Sequence, residues 1–136
     1  MRLFLASALA FVAFGFAAAQ EGMTIEVIRS VDCSLKSKNG DLISVNYNGT
    51  LTNGTLFDSS YGGSSPQPFA FQIGAGEVIK GWELGLLDMC IGDQRKLTLP
   101  PAFGYGDHTV GPIPANSTLI FYTELMAIGG GARPSR

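Results

Sequence analysis

The clearest pattern in the chain lies where Ile43, Val45 and Tyr47 alternate with Ser44, Asn46 and Asn48. A period of two belongs to a strand with one face buried, and it turns the Tyr47 ring inward with the two aliphatics. Asn53-Gly54 follows, a pair favoured in tight hairpin turns, so Thr55–Asp58 is expected to return as a partner strand. Phe69, Phe71 and Ile73 alternate with Ala70 and Gln72 and predict another strand, broken by Gly74-Ala75-Gly76. Ile79, Trp82, Leu86 and Met89 share one face of a helix expected over Glu77–Met89, although Gly81 and Gly85 lower its intrinsic propensity. Strands are also expected at Met23–Ile28, Arg95–Leu99 and Thr118–Ile128. The last is apolar on both faces, with Leu119, Phe121 and Leu125 on one and Ile120, Tyr122 and Met126 on the other. Ser59–Pro68 and Pro100–Ala115 are rich in Gly, Pro and Ser and read as loops, and a loop as long as the second is usually functional or disordered. The pattern is α+β: antiparallel strands with one short helix, on which a wrapped sheet buries one face.

Residues 1–19 do not fit that pattern. Arg2 precedes an apolar run from Leu3 to Phe16, which ends in Ala17-Ala18-Ala19. This is the form of a cleavable secretory signal peptide; the run is short for a bilayer span. Residues 20–128 are then the domain, with no membrane contact in the mature form, and 129–136 a flexible tail. The chain has 136 residues and a net charge of -2, which excludes a polycationic grip on nucleic acid. With 18 Gly and 7 Pro it does not suit a helical bundle.

Secretion bears on the two cysteines, Cys33 and Cys90. An isolated pair in an oxidising compartment is usually a disulfide; buried free thiols and a redox pair are the alternatives, though no C-x-x-C is present. No metal is expected, because the single histidine, His108, has no ligand cluster around it. Asn48, Asn53 and Asn116 each begin an N-x-T sequon and are candidate glycan acceptors, Asn53-Gly54 doubling as a turn. Nucleotide motifs fail: Ile79 stands where a dinucleotide fingerprint needs its third glycine, and Trp82 where a phosphate loop needs its lysine.

Aromatic residues gather at element ends and in the long loop: Tyr47, Phe57, Phe69, Phe71, Trp82, Tyr105 and Phe121. Rings around a small hollow with polar groups at its lip would suit a small-molecule or peptide site; an ordinary core is the competing reading, and it is preferred for Phe71 and Leu97. The segments Val45-Asn46-Tyr47-Asn48-Gly49 and Gly54-Thr55-Leu56-Phe57-Asp58-Ser59-Ser60 resemble the opening of an FKBP-type peptidyl-prolyl cis-trans isomerase. Phe69–Gly74 and Glu77-Val78-Ile79-Lys80-Gly81-Trp82-Glu83 are similar to its central block, and Phe103–Gly106 and Ile113–Phe121 to its last. The blocks come in family order over about residues 25–128.

The resemblance implies a five- or six-stranded antiparallel half-barrel sheet curled around one short helix. It implies a pocket with Trp82 at the floor, walls of Tyr47, Phe57, Phe69, Val78, Ile79, Tyr105, Ile113 and Phe121, and Asp58 at the rim. Trp82, Phe57 and Phe121 would hold a proline ring, while Tyr105 and the Ile79 N–H would donate hydrogen bonds. Asp58 would shape the field or orient Tyr47. No cofactor is implied. The implied partners are proline-containing unfolded or nascent secretory polypeptides and the macrolides tacrolimus and rapamycin, met by a monomer. Cysteines at 33 and 90 resemble those of the secretory-pathway branch, where such a pair forms a disulfide. That branch places the protein in the lumen of the endoplasmic reticulum, with secretion open because the chain ends Ala132-Arg133-Pro134-Ser135-Arg136, which is no retrieval signal. A non-catalytic proline-peptide or macrolide-binding module is the alternative. Two departures stand out: residues 61–68 are uncharged where many relatives place a basic partner for the rim aspartate, and Asp107–Pro112 is short.

Overall fold

The computed structural model describes residues 22–129; the signal peptide expected at 1–19 and all but Gly129 of the expected tail lie outside them. Six strands and one α-helix follow in the order β1 (Thr24–Arg29), β2 (Leu42–Leu51), β3 (Leu56–Ser59), β4 (Phe69–Gln72), α1 (Lys80–Gly85), β5 (Gln94–Leu99) and β6 (Leu119–Ile128). All pairings are antiparallel, in the order β1-β5-β6-β2-β3, with β4 also on β2. This is the open sheet with a short helix that the FKBP resemblance implies.

β2 organises the sheet. Along one edge it pairs with β6 from Ile43 to Leu51. Its other edge is shared, with β4 on Leu42–Val45 and β3 on Asn48–Thr50. Ser60 fills the gap between them: its N–H donates to the Tyr47 carbonyl at 2.9 Å, and its Oγ accepts from the Tyr47 N–H at 2.9 Å. The same Oγ bonds Asn46 Oδ1 at 2.9 Å. Backbone groups that would otherwise lack a ladder partner are thus satisfied where β2 changes neighbours.

Along β6 the inward residues Leu119, Phe121, Thr123 and Leu125 are buried, while Tyr122 and Met126 are exposed. The strand therefore buries one face rather than two. Tyr122 lies on the outside with the Lys96 ammonium 5.6 Å from its ring centroid, so its apolar ring reported no second core. Phe71 and Leu97 are buried in the core, as expected.

The helix is shorter than its apolar spacing suggests: Lys80–Gly85 rather than Glu77–Met89. Val78 precedes its N-cap Ile79, and Asp88 adopts a φ of 64°, which no helix continues through. Leu86 and Met89 still reach the core, from the turns after the helix. The glycines that weaken the helix allow its approach to the sheet. A Cβ on Gly81 would run into the Leu99 side chain, and one on Gly85 would stand 2.9 Å from Leu97 Cδ1. Tertiary bonds then hold what propensity does not. Glu83 accepts from the N–H groups of Gly74 and Gly76. Arg95 Nη1 donates to the carbonyls of Gly85 and Leu87, both at 2.8 Å, satisfying groups at the C-terminal end. Ser37, buried, donates from Oγ to the Leu86 carbonyl at 2.7 Å and accepts the Met89 N–H at 2.9 Å. Beyond it, Cys33 and Cys90 form a disulfide with Cα atoms 5.9 Å apart.

Candidate functional site

The inward alternation of β2 and β6 brings Tyr47 and Phe121 to the same side of the sheet, and α1 lays Trp82 against both. The Trp82 ring stands edge-on to Tyr47, centroids 4.9 Å apart, and to Phe121 at 5.3 Å. Phe57, from β3, meets Phe121 edge-on at 5.6 Å. Phe69, from β4, stands 6.1 Å from Trp82. Such edge-to-face contacts complement the ring quadrupoles and fix ring orientation. Gly49 permits the meeting of Phe57 and Phe121, since a Cβ there would lie 2.8 Å from both rings.

These rings bound a hollow of about 230 Å³, completed by Asp58, Val78, Ile79 and Tyr105. Nine of the ten pocket residues expected from the sequence therefore converge. The tenth, Ile113, is buried in the core, held beside Val110 by a short bridge, and is not one of the lining residues. Glu77 lines the hollow without having been foreseen. Its Oε1 accepts the Gln72 N–H at 3.0 Å, a contact across the glycine turn that no spacing rule reveals. His108 is exposed, 3.2 Å from Asp107, and takes no part in the lining.

The floor is apolar. Trp82 and Phe121 are nearly wholly buried, and the indole N–H has no hydrogen-bond partner among the described residues. The polar groups stand at the rim. The Tyr47 hydroxyl donates to Asp58 Oδ2 at 2.6 Å, and the Ser59 N–H donates to Oδ1 at 2.9 Å. Two donors thus orient Asp58, although residues 61–68 supply no cation. Burial, and then Asp58, hold the Tyr47 hydroxyl well above its usual pKa. Tyr105 is raised for the same two reasons, partial burial first. Both hydroxyls therefore remain protonated donors around neutral pH. The Ile79 carbonyl accepts from Trp82 and Glu83, whereas its own N–H donates to none of the described residues.

Such a hollow can hold a ring-sized apolar group in low dielectric, with donors and one carboxylate at its edge. Among the described residues there is no group of three or more His, Cys, Asp or Glu able to hold a metal, and no helix is long and apolar enough to cross a membrane.

The family model for the FKBP-type peptidyl-prolyl cis-trans isomerase domain matches residues 33–126. The chain is 55% identical over 117 residues to an FK506-binding protein 2 of Podospora anserina, covering 85% of this chain and 62% of that protein. It is 51% identical over 131 residues to one of Gibberella zeae, covering 96% and 65%. With one of Aspergillus fumigatus it shares 49% identity over 131 residues, covering 96% of each. The chain thus spans less than two thirds of the first two of these relatives.

Proposed function

The chain belongs to the FKBP-type peptidyl-prolyl cis-trans isomerase family, and from that premise we propose that it accelerates X–Pro bond rotation in secretory polypeptides. The observation that carries the reading is the ring-lined hollow with its floor of Trp82 and Phe121.

The barrier to amide rotation is about 18–20 kcal/mol, because resonance makes the C–N bond partly double. The same resonance puts negative charge on oxygen and positive character on nitrogen. Water solvates that separation in the planar amide, and rotation removes it. An apolar hollow solvates the planar form less, so binding there favours the twisted form relatively, and only such differential binding raises the rate. Each ~1.4 kcal/mol of preference is about tenfold.

Trp82, Phe57 and Phe121 hold the proline ring. Tyr105 and the Ile79 N–H donate to the substrate backbone; the raised pKa of Tyr105 and an Ile79 N–H that no described residue engages support this. Asp58 orients Tyr47 and adds its charge at the rim, a role supported by their 2.6 Å bond. The ligands of this hollow are proline-containing unfolded or nascent chains and the macrolides tacrolimus and rapamycin. The protein acts as a monomer in the endoplasmic reticulum lumen after loss of residues 1–19, an oxidising setting supported by the disulfide. A proline tetrapeptide assay with and without rapamycin tests this. Rapamycin-sensitive acceleration is expected; macrolide binding without acceleration would leave a binding module instead.

A further inference from the structure

We propose that Asn53 and Asn116 carry N-linked glycans and that Asn48, the third sequon asparagine, does not. This rests on entry into the secretory pathway. The three side chains differ sharply in setting. Asn48 lies within β2, between Tyr122 of β6 and Ser59 of β3. It is half-buried, and its Oδ1 accepts the Ser59 hydroxyl at 2.6 Å. It shares a shallow groove with Tyr61 and Tyr122, so a sugar on its Nδ2 would displace that packing.

Asn53 is exposed in the turn between β2 and β3. Its Oδ1 accepts the Thr55 N–H at 2.9 Å, an Asx turn that spans the sequon from asparagine to threonine. The carboxamide is thereby held through its oxygen, and its nitrogen donates to none of the described residues. Asn116 is exposed just before β6, in a left-handed conformation that Asn tolerates (φ 61°). Its backbone N–H donates to the Gly106 carbonyl at 2.8 Å, while its side chain bonds to no described residue. Asn53 and Asn116 line one surface depression together with Leu51 and Pro114, and this depression shares no residue with the aromatic hollow. Glycans there leave the lining of the hollow untouched.

Timing favours the same choice. Transfer meets a chain that is still emerging, and the β2–β3 hairpin is local enough to close on a scale of about microseconds. Closure draws Asn48 into a ladder and leaves Asn53 at the tip. In the transfer, Nδ2 forms a bond to the anomeric carbon of a lipid diphosphate-linked sugar. The bond from that carbon to the diphosphate oxygen breaks, its electron pair leaves with the diphosphate, and the amide gives up one proton.

The test is the full chain made in a eukaryotic secretory host and digested with a peptide N-glycosidase. The native protein is expected to lose two glycans on digestion, Asn53→Gln and Asn116→Gln one each, and the double variant none. Asn48→Gln should behave as the native protein. A glycan that survives in the double variant and is lost with Asn48→Gln would overturn the proposal, as would one single variant that loses nothing. An unglycosylated chain with its leader removed and Cys33–Cys90 oxidised overturns it while leaving the secretory reading intact. An unglycosylated chain with leader retained and cysteines reduced overturns both.

Discussion

Trp82 and Phe121 stand on a helix and on a central strand, and both are nearly wholly buried. Asp58 and Tyr105 border the same hollow, yet Asp58 lies one residue from the end of a short strand that leads into an uncharged loop, and Tyr105 belongs to a turn-rich segment and is 37% exposed. The floor is therefore part of the core, and what holds it is the packing that holds the fold. The rim is held by a few hydrogen bonds, of which Tyr47 to Asp58 is the shortest, at 2.6 Å. The proposed function assigns substrate binding to both, but only the floor is inseparable from stability.

The sharpest way to break that distinction is at the floor. Trp82→Ala is expected to cost about 3–5 kcal/mol in denaturant unfolding, the usual range for emptying a large aromatic site, and to abolish isomerase activity. Next comes the anchor behind the helix. Cys33→Ser with Cys90→Ser is expected to cost about 2–4 kcal/mol, while the folded double variant keeps the activity, since neither residue lines the hollow. Gly49→Ala should cost about 1–3 kcal/mol by forcing Phe57 and Phe121 apart, and should weaken proline-peptide binding.

The rim should respond in the opposite proportion. Asp58→Asn is expected to lower kcat/KM roughly tenfold, equivalent to about 1.4 kcal/mol, with an unfolding change below about 1 kcal/mol because the group is exposed. A stability loss as large as that of Trp82→Ala would mean that the rim is core after all. The smallest effect is in pH. The Tyr47 pKa is raised on folding, so its contribution is fully present below the unfolded value of about 10 and is lost as pH rises toward the folded one. Unfolding titrations should show native stability falling above pH ~10, less steeply in Tyr47→Phe.

The floor was the legible part of the sequence. Alternation along β2 turned Tyr47 inward and a helical spacing brought Trp82 to it, because burial of one face imposes a period, whereas β6, apolar on both faces as a sequence, left Phe121 to the family resemblance. The helix limits were less legible: Leu86 and Met89 keep helical spacing although they follow the helix, since turns can deliver side chains to a core as well. The outward Tyr122 misled for the converse reason, a ring being apolar enough to suggest burial while packing under a lysine. Most of the rim residues came from family resemblance rather than from any period. The Tyr47–Asp58 pair came with that resemblance, but Glu77 and the Ser59 N–H donor to Asp58 were not read at all, because they depend on local backbone and on which loops meet across the hollow.

The most direct test of the hollow is the rate of cis–trans exchange of a proline tetrapeptide by the native protein and by Trp82→Leu, at a temperature where circular dichroism shows both folded. At least a tenfold loss in kcat/KM for Trp82→Leu is predicted, with the far-ultraviolet spectrum retained. Equal rates from two folded proteins would contradict the assignment of Trp82 to the floor of the catalytic hollow.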